Sequence, residues 1–211
     1  MARRIRKAIL GRKLGMSQMY DSSRNWVPVT LIEAGPCTVL QIKTEERDGY
    51  QGIQVGFDES TRKAMRKPQE VFFKALGVTP SRFIREIPPI PDRELVPGEK
   101  LTLSLLEGVE SIDVSGTTKG RGFSGVVRRW GHSIGPKSHG SKSKRILGSI
   151  GMHQDPGRII KGQKMPGQHG NVKVKVRNLR VVSMDKEQNL LVVKGAVPGP
   201  RGGFLYIEES L

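Results

Sequence analysis

Cysteine is nearly absent from this sequence. Cys37 is the only one among 211 residues, which excludes an internal disulfide framework and a cysteine-based zinc site and suits a reducing compartment. Long apolar runs are missing too. None approaches the ~18 residues of a membrane-spanning helix, and the most basic part of the chain has no strong amphipathic helical face with which to lie on a membrane. The opening Met1-Ala-Arg-Arg-Ile-Arg-Lys7 is followed only by Ala8-Ile9-Leu10 before Gly11-Arg12-Lys13. That is too short for a signal-peptide core, so a basic N-terminal arm is expected instead. No internal repeat is visible. The most informative shortage is of acid: between residues 115 and 180 the sole carboxylate is Asp155.

Against that one acid stand 15 of the chain's 36 Lys and Arg residues, a local balance of +14 out of a net +16. The other 145 residues carry 21 basic and 19 acidic side chains, which nearly cancel. The same stretch holds all four histidines and 13 of the 26 glycines. Its middle, residues 130–168, shows neither helical nor strand periodicity. A segment this basic and this poor in apolar side chains repels itself and cannot bury enough surface to fold alone. It reads as an arm that lies along RNA, with the rest of the chain as its mounting. A charge run is usually a solvated face, but 66 residues with one acid argue against that here.

On either side of the basic stretch the pattern is β. Residues 8–16 read as a short strand with glycine kinks, 27–33 as a strand with Pro28 near its start, 37–42 and 53–57 as further strands. Gly35-Pro36 breaks the second from the third, and 43–49 reads as a charged loop. Residues 58–100 change character, with a short helix expected over 69–76 stopped by Gly77 and a strand over 82–87. They form a small α/β excursion. Residues 101–106 and 111–114 return to strand. Residues 172–177 alternate apolar and basic, and 179–184, 189–194 and 204–208 complete three more strands. Short strands on both sides of a long excursion suggest an antiparallel barrel or sandwich built from both chain ends. The expected division is a globular β domain from 1–114 and 171–211, with 115–170 as the basic extension.

Several motifs invite chemistry and lack its context. Gly120-Arg121-Gly122-Phe123-Ser124-Gly125 matches G-x-G-x-x-G, but glycine recurs before a dinucleotide-binding helix could form, and the next acid is about 30 residues on rather than about 20. The glycines are read as letting backbone approach backbone or phosphate. Arg121-Gly122-Phe123 also opens like the RNP1 motif, but Ser124 and Gly125 replace its next positions. His132, His139, His153 and His169 are spaced by 7, 14 and 16 residues, which fits no metal signature. No metal or cofactor is expected, and packing against phosphates and bases accounts better for them. A catalytic triad has only Asp155 to orient a base, and no nucleophile elbow is present. Trp130 is either a core residue at the root of the arm or a base-stacking one; the preceding Val126-Val127 favours the root. Asp155-Pro156-Gly157 signals a turn where the arm could reverse. Lys142, Lys144 and Arg145 on one side and Lys161 and Lys164 on the other would then form two basic rails.

Leu106, Asp113, Gly116, Thr118, Gly120-Arg121-Gly122, Gly125 and Arg129 fit, at matching spacing, the signature of the universal large-subunit ribosomal protein family called L-three. Lys13-Leu14-Gly15-Met16, Asp48-Gly49-Tyr50, Ser138-His139-Gly140-Ser141, Gly148-Ser149-Ile150-Gly151, Lys161-Gly162 and the run Leu191 through Gly199 agree as well. The chain resembles this family over nearly its whole length, and its shortness resembles the bacterial or organellar branch. The resemblance implies a mainly β fold: a six-stranded translation-factor-like antiparallel barrel with a long irregular extension entering rRNA. It implies a structural protein of the large subunit, not an enzyme, that binds 23S-type rRNA near its 3′ end, acts early in assembly and extends an arm toward the peptidyl-transferase centre. It also implies a cytoplasmic ribosome (an organellar one stays open), contacts with neighbouring proteins such as L-fourteen and L-nineteen, and no membrane partner. Bacterial members carry an N5-methylated glutamine, which falls on Gln154 and requires a glutamine methyltransferase acting before assembly. The family pattern often has Gln where this chain has Met152, and Thr where it has Asp155, which puts a negative charge beside Gln154.

The candidate rRNA-binding residues are Lys119, Arg121, Arg128, Arg129, Trp130, His132, Lys137, His139, Lys142, Lys144, Arg145, His153, Arg158, Lys161, Lys164 and His169, with Arg3, Arg4 and Lys13 from the N-terminal region. The competing class is an enzyme acting on RNA or nucleotides through the glycine loop or a histidine.

Overall fold

The computed structural model describes residues 6–20, 23–60, 65–90 and 95–210. The described chain divides into two compact units, one formed by Met1–Thr117 with Lys173–Leu211 and the other by Thr118–Val172.

The first unit begins with β1 (Ala8–Tyr20), β2 (Trp26–Ala34), β3 (Cys37–Lys43), the one-turn helix α1 (Glu45–Asp48), β4 (Gly52–Glu59), α2 (Lys67–Leu76), β5 (Ser81–Ile87) and β6 (Lys100–Leu101). A 3-10 turn (Leu103–Leu106) and β7 (Ser111–Thr117) follow. The second unit contributes β8 (Phe123–Ser124), α3 (Val126–Trp130) and β9 (Gly167–Gln168). The chain then returns to the first unit with β10 (Lys173–Asp185), β11 (Leu190–Lys194) and β12 (Phe204–Glu209). Six strands close into a ring in the order β1-β12-β7-β10-β11-β2, with β2 paired back to β1 and every pair antiparallel. A closed sheet has no unpaired edge to protect. Alternation fills its interior: along β12 Leu205 and Ile207 are buried while their neighbours are only half-buried. Ile9, Ile32, Ile112, Val114, Leu191 and Val193 join them in one core. The β1 and β2 backbones approach so closely that a Cβ on Gly11 would stand 2.5 Å from the Glu33 carbonyl oxygen.

The same core continues into a second, four-stranded antiparallel sheet in the order β5-β4-β3-β6. Val39, Val55, Phe57 and Ile87 carry it, and Phe204 of β12 stacks on Phe83 with ring centroids 4.7 Å apart. Helix α2 has Pro68 in its first turn, with the Gln69 side chain accepting the Arg66 N–H, and ends on Gly77 at φ +65, as its pattern predicts.

Four sequence-based expectations differ from the structure. The second sheet begins at Cys37 and ends at Leu101, so it takes in two strands that read as part of the same β domain as the ring; period-two alternation marks a strand without saying which sheet it joins. Residues 103–106 form a 3-10 turn rather than a strand, with Leu103, Leu105 and Leu106 buried. The charged loop after β3 contains α1. The stretches 172–177 and 179–184 are one strand, β10, bent by a bulge at Asn178, whose φ of +56 is a conformation asparagine tolerates. Near its start the apolar side of β10 is not core: Val174 is exposed.

Candidate nucleic-acid interface

The second unit starts as a two-stranded neck. The Thr118 N–H donates to Val172 O at 2.9 Å, Arg121 N–H to His169 O at 2.8 Å, and His169 N–H to Gly122 O at 2.9 Å. The two-residue strands β8 and β9 continue the pairing. The crossing is so tight that a Cβ on Gly170, at φ +74, would stand 2.0 Å from Lys119 O. Close backbone approach thus holds for Gly170 alone. In the G-x-G-x-x-G run Gly122 supplies a positive φ of +64, a Cβ on Gly120 would meet only the Asn171 side chain, and one on Gly125 would meet nothing within 4 Å. The close approach of backbone expected at that run is therefore not what its glycines provide. The helix after β8, α3, has only five residues and stops on Gly131 at φ +74.

At the end of α3 the Arg129 Nη1 and the Trp130 Nε1 both donate to Met165 O, at 2.8 and 2.9 Å. The Arg129 guanidinium lies 4.9 Å from the Trp130 ring centroid and the Lys164 ammonium 5.9 Å. Trp130 is therefore held through its indole N–H and ring face, but it is not the core residue that Val126-Val127 suggests: 43% of it stays exposed. Each cation over the indole face adds an electrostatic contact to the hydrogen bond.

Beyond the neck, residues 131–166 contain neither helix nor strand. They are shaped by turns. Gly135 N–H donates to Lys144 O at 3.0 Å and Ser141 N–H to Ser138 O at 3.3 Å, with His139 and Gly140 at φ +56 and +75. A second reversal brackets the Asp155-Pro156-Gly157 signal, where Gly157 has φ +63 and a Cβ on Gly151 would stand 3.7 Å from Arg158 O. The sequence suggests one reversal; the structure has the turn over 135–144 besides. Gln154 is exposed in the later one.

The expected interface residues fall into groups. Lys119, Arg121, Arg128, Lys137, Lys142, Lys144, Arg145, Arg158, Lys161 and Lys164 are all placed in this unit, most of them exposed, as are His139 and His153. Arg129, His132 and His169 are half-buried, and His169 Nδ1 is enclosed with no hydrogen-bond partner. Lys13 differs from expectation: it is buried, its Nζ donated to Val197 O at 2.9 Å and Gly199 O at 3.3 Å, so it fixes a loop of the ring. Arg3 and Arg4 lie outside the described residues.

Electrostatics separates the two units. Among the described residues, no Lys or Arg between 118 and 172 is in an ion pair, although that segment carries eleven cations and one carboxylate. On the ring, Lys175 pairs with Asp113 at 3.2 Å and with Glu208, and Arg6 reaches Glu208 at 3.0 Å. Burial pushes the Asp113 carboxyl up, but the Asn178 N–H, Lys175 and Ser210 together hold it below its ordinary value. Burial raises the Cys37 thiol to about 12, which leaves it an inert core residue. The described residues contain no group of three or more His, Cys, Asp or Glu able to hold a metal and no helix long and apolar enough to cross a membrane.

Among the described residues of this unit, one exposed aromatic side chain escapes the sequence-based set of candidate contacts. Phe123 is 81% exposed. Its signal lies in the alternation of a strand flanked by Gly122 and Gly125, where Ser124 turns inward and its neighbour must face out.

Comparison with known proteins converges on one family. The family model described as "Ribosomal protein L3" matches residues 100–190. The large ribosomal subunit protein uL3 of Thermotoga petrophila is 50% identical over 204 residues, covering 97% of both chains, and that of Thermotoga maritima matches to the same extent. The uL3 of Thermosipho melanesiensis is 46% identical over 97% of this chain and 98% of its own.

Proposed function

The chain belongs to the ribosomal protein L3 family, and on that premise we propose that it is a structural constituent of the large ribosomal subunit, not an enzyme, in the cytoplasm of a bacterial-type cell. It binds large-subunit rRNA directly, through residues 118–172. One observation carries this reading: eleven cations that form no ion pair among the described residues, on a segment almost devoid of core, are drawn to polyanionic phosphates that would neutralise them. The closed ring would be a barrel of the translation-factor kind, serving as the mounting. Lys119, Arg121, Arg128 and the cations of 137–164 contact phosphates and position the protein; the histidines pack against sugars and bases, and Trp130, engaged by Met165, Arg129 and Lys164, holds the segment that carries them. Lys13 is left out of this set because its ammonium is engaged within the ring.

The family resemblance supports finer proposals. The contacts lie near the 3′ end of the rRNA, the protein acts early in assembly beside proteins such as L-fourteen and L-nineteen, and the extension approaches the peptidyl-transferase centre. Gln154 is the N5-methylation target of a glutamine methyltransferase acting before assembly, consistent with its exposure in a turn.

The test is a salt titration of the full chain with large-subunit rRNA. Six to ten phosphate contacts lower affinity roughly 10³–10⁵-fold between 50 and 200 mM salt. A nearly flat dependence would sink the proposal. Co-sedimentation with large subunits, set against turnover of nucleotides by the isolated protein, separates the structural reading from the enzymatic one.

A further inference from the structure

Phe123 is the most exposed large apolar side chain among the described residues, at 81%. Among those residues it makes no aromatic or cation contact. Nothing in its backbone is loose, however. It pairs with Gln168 across β8–β9, and the adjoining Gly122 O accepts the His169 N–H. Its neighbour Ser124 is 4% exposed and donates its Oγ to Arg121 O at 3.3 Å, which fixes the inward side of the strand and sends the phenyl ring outward. A rigid base with a free ring is preorganised: little ordering cost is left when something covers the ring.

The surroundings say what covers it. Lys119, Arg121 and Arg128 stand nearby in the chain, and the only carboxylate of the unit is Asp155. An apolar protein partner would have to strip water from these uncompensated cations, whereas a nucleic acid strand is drawn to them. The ring face then meets a base. Trp130 makes the contrast: its indole N–H and its ring are already engaged by Met165, Arg129 and Lys164.

We propose that Phe123 is a stacking platform for one unpaired base of the rRNA. This rests on the rRNA-binding reading and adds one stacked base to the phosphate contacts and the histidine packing already proposed.

The experiment uses the full chain and complete large-subunit rRNA, comparing wild type with F123A, F123L and F123Y across a salt series. F123A is expected to weaken binding about 5- to 150-fold, the range for removing one aromatic from one stacked base. F123Y should bind like wild type and F123L like F123A, because stacking needs a flat ring. All four should share one slope of log affinity against log salt, since every phosphate contact is kept, and one thermal midpoint, since the ring is free in the unbound protein. F123A binding as tightly as wild type, with a steep slope in both, overturns the stacking proposal and leaves rRNA binding standing. F123L matching wild type replaces stacking with a plain apolar contact and also overturns it. Wild type failing to bind overturns the rRNA reading itself. Normal rRNA binding by F123A, with its loss only from assembled particles, assigns the ring to a protein partner and overturns the proposal.

Discussion

Ile207 and Ile160 are the same side chain in two kinds of structure. Ile207, on β12, is fully buried in the ring, while Ile160 lies in the irregular segment and is 51% exposed. The contrast extends to charge. Lys175, on β10, is paired with two carboxylates; Lys142, in the extension, is exposed and in no ion pair among the described residues. One unit has a buried core and ion pairs on its ring, although side chains such as Trp26 and Val71 stay exposed. The other has neither an extended core nor an ion pair among the described residues and holds its shape by backbone turns and a two-stranded neck. Backbone hydrogen bonds such as Thr118 to Val172 close the second unit at its base.

The most severe test of this contrast is to remove the outward-facing half. Deleting residues 132–164 takes away seven Lys and Arg residues and none of the strands. The slope of log affinity against log salt should fall in magnitude by about 6, at ~0.9 for each phosphate left unneutralised. The thermal unfolding of the remainder should stay cooperative, because the ring and its core come from residues before 118 and after 172. A truncated chain that is unfolded by circular dichroism would mean that the extension supports the core and that the division is wrong.

Within the intact chain, paired substitutions sharpen the same contrast. Ile207→Ala should destabilise by about 2–5 kcal/mol in urea unfolding, since it removes buried methyl groups and leaves a cavity in a core that relaxes only partly. Ile160→Ala should stay within about 0.5 kcal/mol, as surface substitutions do. Equal effects would show that the extension has a core of its own.

How much of this can be read from the sequence depends on how local the signal is. Helix α2 is legible because Pro68, Gln69 and Gly77 each act within one turn of their own position. The basic extension is legible from charge alone, since no arrangement of residues 118–172 could neutralise eleven cations with Asp155. Sheet membership is not legible: β3 and β4 alternate as the ring strands do, and only their partners β5 and β6 set them apart. Asn178 hides the continuity of β10, because a bulge interrupts the pattern without ending the strand. Lys13 misleads for a similar reason. Its charge suggests a surface, while the carbonyls that bury it come from residues 197 and 199, far along the chain.

The smallest expected effect concerns charges that look alike in sequence and differ in pairing. Asp113 is 4% exposed and its carboxyl is held below the ordinary value. A group whose folded pKa is depressed contributes stability that is present above its unfolded pKa, about 3.9, and is lost as pH falls through the folded value. Stability should therefore be flat with respect to Asp113 at neutral pH and decline below about pH 4, and Asp113→Asn should decline less steeply over that window. Lys175→Ala removes one of the partners that lower this carboxyl. It should cost stability at pH 7 and make the acid loss shallower, while leaving the salt slope of rRNA binding unchanged, because that ammonium already has its counterions. Lys142→Ala should do the reverse: no change in urea unfolding, and a salt slope reduced by about 1. Urea unfolding at pH 3, 5 and 7 and rRNA binding at several salt concentrations measure all three variants. If Lys175→Ala lowered the salt slope as much as Lys142→Ala, the ring's ion pairs would be open to phosphate. The separation of inward-satisfied from outward-satisfied charge would then fail at β10, the strand by which the chain re-enters the ring.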